Sequence, residues 1–483
     1  MREFLLGYGH FVVAYIVIVY SIYFFILLLS LKNIKPTIVR NKYTSYSKLA
    51  GSETVPPVSI LVPSYNEELT IIENVRSLLA LNYPQHEVIV VNDGSKDRTL
   101  EILIDEFQLE RLPEEMSKGN GLLDTNPTRG VFHNPLVPKL YVIDKPNGGK
   151  ADTLNVGINF SHYAMVCTID ADSLLEKDSL IRIGRKFMES PEETIAVGGM
   201  VRVANSCTIE NGIVKEVRLP RNWWARFQCV EYMKAFLGGR IGWSAINALI
   251  IISGAFGVFR KEYIVKVGGY REGYPGEDMN IVIKLHKMMQ EQGRKYRIAY
   301  CPDAVCWTQA PESMRILGSQ RKRWGRGNLK NMWEYKHLIF NPKYKLFGLL
   351  SMPYTVIYEM LNPYIKLSGY LALIGYVMLD MTKWPILLAF FGINVALVLL
   401  FNCGALLIEE MAFRRYPRLT DLLKMVGVGM LMAFGYVQLN AYWRLRGHID
   451  FLRNNNSWGE MTRQSWATKP AKQATPTTIQ KGA

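Results

Sequence analysis

An α/β domain held between membrane helices is the fold class the sequence predicts, on three observations. Short β-branched runs alternate with helical stretches between residues 56 and 306. Apolar segments long enough to cross a bilayer lie near both ends. Polar residues crowd the points where the apolar runs stop, at residues 65–68, Asp93, 144–150 and Asp170/Asp172, which is where open α/β sheets bind ligands.

Taken in order, residues 4–31 are mostly apolar and exceed a signal-peptide core in length, so segment 1–35 reads as a retained membrane helix. Lys32, Lys35, Arg40, Lys42 and Lys48 follow it, whereas only Arg2 precedes it. The positive-inside bias therefore places the N-terminus outside, and it places residues 55–340 in the cytoplasm, on the inner face of the plasma membrane. Within that domain "VSILVPS", "EVIVVND", "KLYVID", "MVCTID", "IAVGGMVRV" and "YRIAYCP" read as strands. Residues 110–138 lack periodicity and read as an inserted loop. Residues 221–254 mix Trp, Phe and Leu with Arg and Lys, and suit either a headgroup-level helix or an ordinary amphipathic one.

The C-terminal third, 341–453, returns to the membrane and makes the chain multi-pass. Residues 346–379 are apolar but broken by Pro353, Glu359 and Asn362-Pro363, 385–408 form a clean span, and 422–442 carry Lys424, Gln438 and Asn440. Residues 454–466 form a candidate loop, and 467–483 are too polar to build a core and read as disordered.

The net charge of +15 could serve nucleic acid, but beside membrane helices it favours lipid headgroups or nucleotide phosphates, and nucleic-acid binding is set aside. Six cysteines without a CxxC pair and seven histidines without HxxxH or HExxH argue against a zinc site and a disulfide framework. Any metal would be held by oxygen.

In an extended segment Asp170 and Asp172 share a face, so both can meet one ligand. Two hard donors that leave room for water and phosphate suit Mg²⁺ or Mn²⁺ on a pyrophosphate. The plain alternative has Asp172 capping the next helix. Asp93 closes "VIVVNDGSKDRT" and could accept from a base or sugar, although an Asx turn with a cap would account for Asp97. In "DKPNGGKADTLN", Gly148 and Gly149 allow close backbone approach to a phosphate and Lys150 adds charge. Ala151 rules out a P-loop, and no GxGxxG follows the first strand.

"VSILVPSYNEE", "VIVVNDGSKDRT", "NGGKADTLN", "TIDADS", "SGAFGVFRKE", "GEDMNIVIKLH" and "QRKRWGRGNL" stand in the order seen in family 2 glycosyltransferases, and the chain resembles the membrane-embedded polysaccharide synthases among them over residues 58–329. The last motif matches the QxxRW pattern of processive members such as cellulose, chitin, hyaluronan and poly-N-acetylglucosamine synthases. The resemblance implies a GT-A fold and a UDP-sugar donor held near Tyr65, Glu67, Asp93 and Lys150. It implies a metal near Asp172 with Asp170 beside it, Asp278 as catalytic base, and Gln320, Arg323 and Trp324 on the diphosphate and the acceptor polysaccharide.

The residues agree with those roles on chemical grounds. Asp278 opens an apolar helix whose dipole favours its ionised form, though a simple cap or Glu277 as base are alternatives. Gln320, Arg323 and Trp324 share one helical face, while a basic membrane-surface helix is the bland reading. "SWGEMTRQ" is similar to a nucleotide-covering loop of some synthases and would bring in Trp458, Thr462 and Arg463 from the cytoplasmic side.

One N-terminal helix and a small C-terminal set fall short of the best-known synthases, which points to a homo-oligomer or an accessory secretion subunit. The rival readings are a non-processive transferase adding one sugar to a lipid or other acceptor, and a non-catalytic membrane scaffold.

Overall fold

The computed structural model describes residues 2–379, 384–416 and 418–453. Trp458, Thr462 and Arg463 lie outside the described residues.

Twelve strands form among the described residues: β1 Val58–Ser64, β2 His86–Asp93, β3 Glu110–Arg111, β4 Gly130–His133, β5 Leu140–Lys145, β6 Met165–Thr168, β7 Ser173–Leu175, β8 Thr194–Val203, β9 Thr208–Glu210, β10 Ile213–Glu216, β11 Gly257–Arg260 and β12 Arg297–Thr308. Ten of them make one sheet in the order β3-β4-β5-β2-β1-β6-β11-β8-β12-β7, and β9 and β10 pair as a hairpin. β5, β2, β1 and β6 run parallel, and β11 lies antiparallel between β6 and β8. The parallel strands are buried along almost their whole length, as covered faces demand.

Residues 110–138 are less irregular than their composition suggests. β4 extends the sheet at the edge of β5, antiparallel to it with Val131 opposite Ile143, and β3 adds antiparallel to β4. Segments of two to four residues are too short to carry a periodicity, so only their partner reveals them.

Chain order reverses around β1: β2 and β5 lie on one side and β6 on the other. In register Leu61 pairs with both Ile89 and Thr168, so the chain leaves β1, β2 and β6 at one edge of the sheet. Open α/β sheets bind ligands at such a switch point.

Helix Arg2–Tyr43 runs unbroken through Pro36. The 221–254 segment forms Trp223–Met233, a wide-turn π segment Lys234–Arg240 and Ile241–Ala245. It packs on the N-terminal helix: Ser30 Oγ donates to the Gly238 carbonyl at 3.0 Å, and a Cβ at Gly242 would drive into the Ile26 carbonyl. Residues 347–378 continue as one helical run with two further π segments, Phe347–Ser351 and Thr355–Leu361. Trp384–Ala412 follows, then Leu419–Leu431, which turns at Phe434 and Gly435 (φ +104°) before Val437–Leu452. Among the described residues three helices are long and apolar enough to cross a membrane: Glu3–Tyr43, Phe391–Ala412 and Leu419–Leu452.

Helix Met314–Glu334, which carries QRKRW, lies against Val437–Leu452 along glycines. A Cβ at Gly325 would sit 2.9 Å from the Arg444 carbonyl, one at Gly318 2.8 Å from Trp443 Nε1, and one at Gly447 would collide with the Lys322 carbonyl. We expect Gly447→Ala to destabilise the protein by about 1–3 kcal/mol, because a backbone atom cannot swing aside as a side chain can. Thermal melting of the purified variant checks this.

Candidate active site

The DxD turn between β6 and β7 is held from behind by Asn74, whose Nδ2 donates to the carbonyls of Asp170 (3.2 Å) and Ser173 (2.5 Å). Asp172 does not cap the next helix; Asp178 stands at that N-cap position. Asp172 is instead almost buried against the cavity described below.

Lys150 opens the helix Lys150–Phe160 directly after Gly149 (φ +87°) and reaches Asp170 Oδ1 at 2.6 Å and Glu277 Oε1 at 3.6 Å. A Cβ on Gly254 would lie 2.8 Å from Lys150 Nζ, so the glycine of "SGAFG" leaves the ammonium its place. Burial opposes the charge of Lys150, yet Asp170 and Glu277 outweigh it and hold the amine protonated above its ordinary range.

Asp278 lies in the first turn of Glu277–Glu291, with left-handed Gly276 (φ +92°) before it. It accepts from Met279 N at 2.8 Å and more weakly from Gly254 N at 3.4 Å. The helix is fixed by buried polar pairs: Asn280 Nδ2 donates to Asn331 Oδ1 at 3.2 Å, and Asn331 Nδ2 to the Gly276 carbonyl at 3.2 Å. Surrounding protein and then the Glu277 carboxylate push Asp278 up to about 6, with Lys150 acting the other way.

The loops after β1 and β2 clasp each other. Asn66 N donates to Ser95 Oγ at 3.0 Å, Lys96 N to Asn66 Oδ1 at 2.8 Å, and Glu68 N to Asp97 Oδ2 at 3.2 Å. Glu67 is buried and accepts from Thr70 Oγ1 at 2.8 Å, whereas Tyr65 is exposed. Asp93 takes four protein donors: Lys145 Nζ (2.6 Å) and Gly148 N (2.8 Å) on Oδ1, and Asn147 Nδ2 (3.1 Å) and Gly149 N (2.9 Å) on Oδ2. The two glycine N–H groups thus face Asp93, and Lys150 is the group of this loop turned to the carboxylates.

Gln320 and Trp324 lie on the wall opposite. Gln320 Oε1 is buried and finds no hydrogen-bond donor among the described residues, an orphan acceptor that points to a missing partner. Trp324 is exposed on one side and carries the Arg321 guanidinium on the other, 4.0 Å from its ring centroid. Arg321 itself is fully buried and ion-paired to Glu231 at 2.6 Å, which also accepts from Tyr436 at 2.6 Å. The helical face derived for Gln320, Arg323 and Trp324 did not reveal this backing.

Tyr65, Glu67, Asp93, Lys150, Asp170, Asp172, Asp278, Gln320, Arg323 and Trp324 all line one cavity of about 1100 Å³. It continues between the apolar helices past Tyr23, Tyr358, Glu359, Lys366 and Arg444, so a single chain joins the acidic sheet edge to the interior of its helical bundle.

A mixed sheet with carboxylates and a lysine at its switch point, facing a third carboxylate at a helix start, defines a GT-A glycosyltransferase domain. The chain belongs to glycosyltransferase family 2: the model "Glycosyltransferase like family 2" matches residues 56–327, and the model "Chitin synthase" matches residues 276–473. It is 29% identical to a poly-β-1,6-N-acetyl-D-glucosamine synthase of Staphylococcus epidermidis over 61% of this chain and 61% of that one. To the same synthase of Staphylococcus aureus it is 28% identical over 64% of this chain and 63% of that one. The match therefore spans about three fifths of these relatives' length. A mannosyltransferase of Pyrobaculum calidifontis, solved with GDP-Man and Mn²⁺, shares the fold with a TM-score of 0.51 at 17% identity, over 90% of this chain and 99% of that one.

Proposed function

We propose that this chain is a membrane-bound inverting synthase that transfers a sugar from a UDP-sugar to the end of a growing β-linked polysaccharide. The observation that carries the reading is the single cavity joining Lys150, Asp170 and Asp172 to Asp278 and to Gln320, Arg323 and Trp324. The names of the relatives make UDP-N-acetylglucosamine the first donor to try.

Asp278 takes the proton from the attacking acceptor hydroxyl, and Lys150 and Arg323 stabilise charge on the departing diphosphate. Gln320 Oε1 accepts from an acceptor hydroxyl, and Trp324 offers its free face to the sugar's apolar side. Asp170 and Asp172 fit a hard divalent cation, Mg²⁺ or Mn²⁺, since both are carboxylates on the cavity wall. No cluster of three or more His, Cys, Asp or Glu exists among the described residues to hold one alone, so water and phosphate oxygens would complete its shell. Such an ion supplies further charge neutralisation on the diphosphate. We place the domain on the cytoplasmic face of the inner (plasma) membrane, in contact with its lipids, because the basic cluster from Lys32 to Lys48 follows the first apolar helix.

Purified full-length protein supplied with single UDP-sugars and Mg²⁺ or Mn²⁺ tests this. Release of UDP with a product that lengthens under excess donor is expected. A product extended by one sugar only would establish the non-processive reading instead.

A further inference from the structure

We propose that the inserted segment 110–133 acts on the donor site, with Asn126, Asp152 and Lys145 serving as positioning residues that set Lys150 for the donor's diphosphate. The inference rests on the donor-site reading above.

Lys145, at the end of β5, is completely buried, and its ammonium meets Asp93 Oδ1, Asp152 Oδ2 and the Pro146 carbonyl, each at 2.6 Å. All three of its protons are thereby used. Asp93 in turn holds the N–H groups of Gly148 and Gly149, so the shape of the loop depends on where Lys145 keeps Asp93. From the other side, a Cβ on Gly148 would fall well inside contact distance of both Asp152 and Asn126. The loop before Lys150 is therefore enclosed by Asp93 on one face and by Asp152 with Asn126 on the other.

Asn126 comes from the insertion. Its backbone N–H donates to Asp152 Oδ1 at 2.9 Å and its Nδ2 to Asp152 Oδ2 at 3.1 Å. Further anchors of the insertion fall on the same helix or the strand before it. Leu123 N donates to Asn159 Oδ1 at 3.0 Å, Asn159 Nδ2 returns to the Leu123 carbonyl at 2.8 Å, and Arg129 N donates to the Asp144 carbonyl at 2.7 Å. The segment thus braces the helix whose first residue is Lys150.

The test compares wild type, Asp152→Asn and Asn126→Ala as full-length purified protein, reading UDP affinity by calorimetry, steady-state kinetics and thermal melting. Both variants should weaken UDP binding by about tenfold and lower kcat/KM by about tenfold or more, the effect of one or two misplaced charge-assisted contacts on a cation that also serves the departing diphosphate. Unchanged UDP affinity, with or without a fall in melting temperature, would show a brace that serves only stability and overturn the proposal. Should Asp152→Asn fail to fold, Asn126→Ala decides, because the backbone hydrogen bond from residue 126 persists in it. A wild type that binds no UDP overturns the donor reading, and this inference with it.

Discussion

Asp278→Asn should bind UDP within about twofold of wild type while its transfer rate falls by about 10²- to 10⁴-fold, the usual contribution of a general base. Asparagine keeps the shape of the side chain and an acceptor for Met279 N–H, so the helix start survives and only the proton acceptor is lost. The wild-type rate should also carry the signature of that group. Its carboxyl is pushed up to about 6, first by surrounding protein and then by Glu277. A base must be ionised, so the rate rises with pH through about 6 and is lost below it. Initial rates of UDP release between pH 4.5 and 8 at donor well below its KM measure the limb. A wild-type rate in Asp278→Asn would remove the residue from the role.

Lys150→Met should lower kcat/KM by about 10²- to 10³-fold, because it withdraws a preorganised cation from the place where diphosphate charge develops. The substitution has a second effect of known sign. Lys150 works against the raised proton affinity of Asp278, so removing it drives that carboxyl further up and shifts the acid limb to higher pH. General misfolding would lower the rate without moving the limb, and the profile separates the two. Lys150→Arg restores the charge but not the compact ammonium 2.6 Å from Asp170, and should recover only part of the rate.

The parts of the fold legible in the sequence were those written as long apolar runs. β1, β2, β5, β6, β8 and β12 read clearly because strands covered on both faces have no solvent side to interrupt them. β11 lies in the middle of the sheet, yet its four residues begin with a glycine and gain strand geometry only from β6 and β8. The single apolar run 422–442 conceals the break at Phe434 (φ −107°) and Gly435 (φ +104°), because composition alone does not mark where a helix turns.

That Asp170 and Asp172 face one cavity was legible because a buried strand rarely ends in two carboxylates one residue apart without a use for both. Lys145, Asp152 and Asn126 were not. A buried lysine between two aspartates is written like any lysine at the end of a strand, and only pairing in space distinguishes it. Asp93 shows the converse: its place at the sheet edge was clear, but the four protein donors that surround it come from the loop after β5 and from Lys145.

Gly325 and Gly447 bring the QRKRW helix and Val437–Leu452 together backbone against backbone, and Gly318 receives the Trp443 ring. An interface of that kind transmits a tilt instead of absorbing it. A displacement of Val437–Leu452 is therefore passed directly to the backbone that carries Gln320 and Trp324.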